Sequence, residues 1–150
     1  CSSDLVLWRW RCLLLRAFGA KIGYRCDVRG SARVWYPPHL KMDDYSMMAE
    51  GVNCYNMGMT ILESHTLVSQ GAYLCGGTHD IDDPLFQLVT EPIILKKGCW
   101  IASEAFVGPG VTVESDAVLG AKAVTFKNLE AGTVYVGNPA KASRKRKRNV

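Results

Sequence analysis

The sequence has few of the features that mark a specialised class. Its six cysteines, Cys1, Cys12, Cys26, Cys54, Cys75 and Cys99, form no CxxC pair and no zinc-ligand spacing. No secretory signal pattern precedes them, and Cys26, Cys54 and Cys99, at inward positions of a six-residue repeat, read as small buried hydrophobes of a reducing, cytoplasmic setting. No apolar run reaches the roughly 20 residues that a membrane-spanning helix needs. Charged residues make up 21% and hydrophobic ones 48%, which excludes a disordered composition. One domain is expected at a length of 150 residues. The net charge is +4, but the run Arg144 to Arg148 supplies five positive charges and leaves the body near neutrality. Nucleic acid readers spread their charge over a folded face, so none is expected as a partner. The basic run reads as a solvated, frayed terminus, with an anion contact as the sharper alternative.

What the sequence does contain is a repeat. Leu95, Ile101, Val107, Val113 and Leu119 are spaced six apart, and Cys99, Ala105, Val111, Ala117 and Ala123 follow four positions later. Met42, Met48 and Cys54 share one earlier phase. Leu62, Val68 and Leu74 share another, with Thr66, Ala72 and Thr78 as their four-on residues. Ile22 and Val28 make a looser start. A period of six fits neither a helix of 3.6 residues per turn nor an amphipathic strand of period two. It fits a three-sided solenoid, with the aliphatic residue inside and the small residue at a corner. The slip between Cys54 and Leu62 implies a short insertion at residues 56–59, and the gap from Leu74 to Leu95 implies a loop over about 79–91.

The expected organisation is an N-terminal amphipathic helix within residues 1–19, a β-helix over 20–136, and a C-terminal basic tail over 137–150. The helix is expected from Asp4, as N-cap or first-turn acid, to Phe18, with Gly19 as its stop. Leu5, Trp8, Cys12 and Leu15 form one stripe, with Leu7, Leu14 and Phe18 widening it. It is read as a cap on the open end of the solenoid. The alternative is peripheral membrane contact, which Trp and Arg suit. Asn138-Pro139 marks a turn that ends the solenoid and sends the last segment back along it.

The hexads, the step Gly77-Thr78-His79-Asp80 with Asp83-Pro84, the segment Cys99-Trp100-Ile101-Ala102-Ser103 and the terminal Gly137-Asn138-Pro139-Ala140-Lys141 together resemble the hexapeptide-repeat acetyltransferases. The likeness is greatest to the colanic-acid-type exopolysaccharide acetyltransferases and covers nearly the whole chain. The resemblance implies an all-β, left-handed parallel β-helix and a homotrimer with sites at subunit interfaces. It also implies acetyl transfer from acetyl-CoA to a hydroxyl of a sugar or glycan precursor, without a metal.

His79 is the candidate base: it stands where the chain leaves the repeat, among glycines and acids, and imidazole titrates near neutrality. In the resembling family the matching histidine removes the acceptor proton. His39 and His65 are read as surface residues. Asn56 is the candidate oxyanion donor, by analogy with an asparagine in the related galactoside enzymes. A turn role is the alternative. Asp80, Asp82 and Asp83 are expected to help shape the sugar pocket. The resemblance maps coenzyme contacts onto Trp100, Ser103, Ala121, Phe126, Lys127, Lys141 and Arg144, although Phe126 replaces the family's small hydroxyl residue. Cys75 is read as a packing residue. A γ-class carbonic anhydrase needs three clustered histidines, which this spacing does not supply. A nucleotide-sugar N-acetyltransferase and a non-catalytic solenoid stand as alternatives.

Overall fold

A computed structural model describes the backbone of residues 3–148 and the side chains of residues 9–148. The fold is a left-handed parallel β-helix of about six turns behind one short helix. One face stacks Lys21–Ile22, Leu40–Met42, Thr60–Leu62, Ile93–Leu95 and Thr112–Val113. The second stacks Asp27–Val28, Met47–Met48, Leu67–Val68, Trp100–Ile101, Val118–Leu119 and Thr133–Val136. The third stacks Arg33–Val34, Asn53–Tyr55, Tyr73–Cys75, Phe106–Val107 and Val124–Thr125. These stacked pairs are parallel and in register, as in Val68, Ile101 and Leu119 on the second face.

The six-residue period places Leu95, Ile101, Val107, Val113 and Leu119 in the prism interior, each with no exposed surface. The small four-on residues Ala105, Ala117 and Ala123 are equally buried at the corners. Cys54 and Cys99 occupy inward positions, where burial pushes both thiols up to about 12. They are packing groups, not thiolate nucleophiles.

The corners follow a second rule. Between the first and second faces one residue per coil is left-handed: Arg25, Tyr45, His65, Gly98, Asp116 and Gly132. From the second coil on, its amide donates to a carbonyl of the coil before, as from His65 to Asp44 at 3.1 Å and from Asp116 to Lys97 at 3.0 Å. These bonds offset the backbone strain of a positive φ in residues with a side chain. His65 is therefore a corner residue, its ring stacked on Tyr45 at 5.0 Å.

The insertion expected near Asn56 has a twin that the loose early repeat concealed. Between Val34 and Met42 the same corner holds the short 3-10 turn Pro37–His39. His39 is bound there, its Nδ1 2.8 Å from the Met57 carbonyl. Thr78 is not the corner residue that the six-residue phase assigned to it. It is exposed and lies on a hairpin in which Gly77–His79 pairs antiparallel with Leu88–Thr90.

Helix α1 runs Ser3–Ala17, and Gly19 at φ 102° ends it. Cys12 and Leu15 are buried against the first coil, while Arg16 holds the Ile22 and Gly23 carbonyls at 3.0 and 2.8 Å. Expectations for the side chains of Asp4, Leu5, Leu7 and Trp8 lie outside the described residues.

The basic tail is not a frayed terminus. Lys141–Lys145 adds an antiparallel strand to Thr133–Val136. Beyond it, Arg146 donates to the Gly98 carbonyl at 2.9 Å and Arg148 pairs with Asp116 at 2.8 Å. The open sheet edge and the corner carbonyls supply partners that a composition count does not reveal.

Candidate functional site

The hairpin carrying His79 springs from the corner between the third and first faces. Two glycines of neighbouring coils make room for its return. A Cβ at Gly58 would fall 2.5 Å from the Glu91 carbonyl oxygen, and one at Gly110 would collide with the Glu91 carboxylate. At its exit, Gly76 donates to Tyr55 at 2.8 Å and accepts from Glu91 at 3.2 Å. The hairpin is thus fixed at its base on rigid coils.

His79 is exposed, and its Nδ1 lies 2.6 Å from the Phe86 carbonyl oxygen. A carbonyl only accepts, so Nδ1 carries the proton and Nε2 keeps its lone pair. Phe86 takes a left-handed conformation, φ 47°, which is costly for a bulky residue. The surrounding tip holds it there. The Asp83 carboxylate accepts from the Leu85 amide at 2.8 Å, and the Asp83 carbonyl accepts from Phe86 at 2.9 Å. The Asp80 carboxylate accepts from Asp82 at 3.0 Å, while the Asp80 amide donates to Gln87 at 2.9 Å. Asp80 and Asp83 therefore shape the tip that fixes the tautomer of His79. Asp82 is exposed at that tip. The Phe86 carbonyl was not legible beforehand, because a backbone acceptor has no residue-type signature.

Asn56, the candidate oxyanion donor, is held at the enlarged corner. It is fully buried, accepts from the Tyr36 amide at 3.0 Å and donates to the Tyr36 carbonyl at 2.7 Å. Its amide ties the two inserted corners together, which is the turn role. Cys75 donates to the Gly77 carbonyl at 3.1 Å, in keeping with a packing residue at the hairpin exit.

The residues that the resemblance mapped to the coenzyme divide into two groups. Trp100 projects from the second face, its indole N–H on the Ser69 hydroxyl at 2.8 Å. Ser103 and Ala121 follow at the next corner, where the Lys122 amide bonds the Ser103 carbonyl at 2.9 Å. Lys141 and Arg144 lie on the last strand of that face. Phe126 and Lys127 instead follow the third face, on the side of the His79 hairpin. Phe126 packs 5.6 Å from Phe106, over Gly108, in a row that continues to Tyr73. Within one chain the third face separates His79 from Trp100, Ser103 and Ala121. Among the described residues, no group of three or more His, Cys, Asp and Glu is placed to hold a metal ion.

No family model matches the chain. It is 42% identical over 144 residues to the colanic acid biosynthesis acetyltransferase WcaF of Escherichia coli, covering 96% of this chain and 79% of that protein. It is 26% identical over 121 residues to the galactoside O-acetyltransferase of the same organism, covering 73% of this chain and 60% of that one. A hexapeptide-repeat acetyltransferase from Vibrio cholerae, solved with acetyl-coenzyme A, superposes with a TM-score of 0.84 at 18% identity over 93% of this chain and 78% of that one. A maltose O-acetyltransferase from Clostridium difficile superposes with a TM-score of 0.79 at 18% identity, covering 94% and 77%.

Proposed function

For a chain that belongs to the hexapeptide-repeat acetyltransferases, we propose acetyl transfer from acetyl-CoA to a hydroxyl of a sugar or glycan precursor, with His79 as general base. The observation that carries the reading is the Phe86 carbonyl on His79 Nδ1, which leaves Nε2 as an exposed acceptor. Nε2 takes the hydroxyl proton as the acceptor oxygen attacks the thioester carbonyl. The new C–O bond forms, the C–S bond breaks, and the imidazolium returns its proton to the departing thiolate. No acyl-enzyme is needed, in keeping with the neutral buried thiols. The oxyanion needs an N–H donor: the second N–H of Asn56 and the backbone amides near His79 are the candidates. The test is release of free thiol from acetyl-CoA against a panel of sugars, nucleotide sugars and lipid-linked glycans. Acceptor-dependent release with O-acetyl product supports the reading. Product acetylated on nitrogen, or no release with any acceptor, sinks it.

The active unit is proposed to be a homotrimer with the site shared between subunits. A lone prism has convex faces, whereas ligand sites are concave. His79 and the Trp100–Ser103–Ala121 edge lie on different corners, and threefold packing brings unlike corners together. Lys141 and Arg144 then suit the phosphates of the coenzyme. Subunit exchange between His79→Ala and Ser103→Trp is expected to restore part of the activity that each variant lacks alone. A mixture that exchanges and stays inactive would place the whole site on one chain.

A further inference from the structure

We propose that the helix-capped end of the prism docks on an anionic lipid bilayer. Helix α1 is apolar on two sides. Its inner side, Cys12 and Leu15, is spent on the solenoid. Its outer side presents Trp10, Leu13, Leu14 and Phe18, a helical stripe in which Trp10 is 58%, Leu13 53% and Phe18 68% exposed. A surface helix normally keeps polar residues there, so an outward apolar stripe calls for an apolar medium or partner. Tyr24, 60% exposed, stands at the first corner of the same end.

The charge distribution says which. Residues 1–34 hold seven basic and two acidic residues, whereas residues 35–143 hold six basic and twelve acidic ones. The capped end is therefore strongly positive, while the rest of the prism is near neutral once the five cations of Arg144–Arg148, folded along its last coils, are included. Arg16 is pinned at the helix end by two backbone carbonyls, and Lys21 and Arg25 are exposed beside it. Arg25 also lies over the Tyr24 ring, 5.5 Å from its centroid. An apolar stripe with an aromatic residue at each end and cations beside it matches the interface of a bilayer with negative headgroups. A hydrophobic protein partner would account for the stripe but not for the excess of cations beside it. In the trimer proposed above, threefold symmetry turns three such ends to the same side, so weak single contacts add.

The test is co-sedimentation of the full chain with phosphatidylglycerol-rich vesicles and with pure phosphatidylcholine vesicles. The chain is expected to pellet with the former, less so as salt rises, and weakly with the latter. Two variants separate the contributions: Trp10→Ser with Phe18→Ser, and Lys21→Glu with Arg25→Glu. All four side chains are exposed, so the fold is expected to survive, and circular dichroism checks it. Each pair should lower the vesicle partition about tenfold or more. No pelleting at low salt, or unchanged partition of either variant, would overturn the proposal. So would a change of mass in vesicle-free solution for the Trp10/Phe18 variant, because the stripe would then be covered by a second copy. The readout is independent of acetyl transfer, so its failure leaves the proposed function standing, and the reverse.

Discussion

His79→Ala is expected to lower acetyl transfer by about 10²- to 10⁴-fold while acetyl-CoA binding is kept. The chemical reason lies in the tautomer. The Phe86 carbonyl holds the proton on Nδ1, so Nε2 is the single side-chain acceptor of that imidazole. Alanine removes it without touching the buried prism, because His79 is exposed on the hairpin. His79→Gln is the sharper comparison: it restores polarity and length but accepts a proton far less readily. Both variants should lose turnover together, and equilibrium binding of acetyl-CoA should stay within a few-fold of the parent. Turnover above a tenth of the parent in His79→Ala would exclude the general-base role.

Gly58→Val should cost transfer about 10²-fold by displacing the return of the hairpin. Its Cβ would meet the Glu91 carbonyl oxygen at 2.5 Å and the Glu91 carbonyl carbon at 2.8 Å. Those are backbone atoms, so no rotamer change relieves the clash. The return of the hairpin must move, and with it the Phe86 carbonyl that orients the imidazole. Acetyl-CoA affinity should change little, since Trp100, Ser103 and Ala121 of the proposed coenzyme wall lie on another corner. Gly30→Ala is the control, because a Cβ there meets nothing within 4 Å and no loss is expected. Equal transfer in the two variants would show that the hairpin seat does not position the base. A large drop in melting temperature for Gly58→Val alone would trace its loss to the fold.

Much of the architecture was written in the spacing. Five aliphatics six residues apart from Leu95 to Leu119 all face the prism interior, because each side of a three-sided coil is six residues long and turns the same position of the hexad toward the axis. The pattern weakened wherever a corner was enlarged. The slip at Cys54 to Leu62 showed itself between two clear phases. The equal slip between Val34 and Met42 did not, because Val34 sits in an opening coil whose repeat is loose. Thr78 fell into phase by coincidence. The chain had already left the solenoid at Gly77, and backbone pairing with Leu88–Thr90 overrode the six-residue count.

The site was legible only in part. His79 stood out because it is one of three histidines and the one among glycines and acids. Asn56 had the residue type of a donor, yet its side chain is buried and spends one N–H and one oxygen lone pair on the Tyr36 backbone. Asp80 and Asp83 had the look of ligand-binding acids, yet each spends a carboxylate oxygen on the hairpin tip. The basic tail looked solvated because its partners are backbone carbonyls, the Thr133 hydroxyl and one acid, Asp116, distant in sequence.

The sequence by itself determined the period, and with it the prism, its stacking direction and its buried row, because side-chain burial repeats with chain geometry. It also singled out His79 as the histidine proposed for chemistry. Only the tertiary structure decided which nitrogen of that histidine is free, what the acids around it do, and that most of the proposed coenzyme residues lie a whole face away from it. Those matters depend on carbonyls, corner angles and coil-to-coil registers. Backbone groups are the same at every position, so their partners appear only when distant coils are stacked.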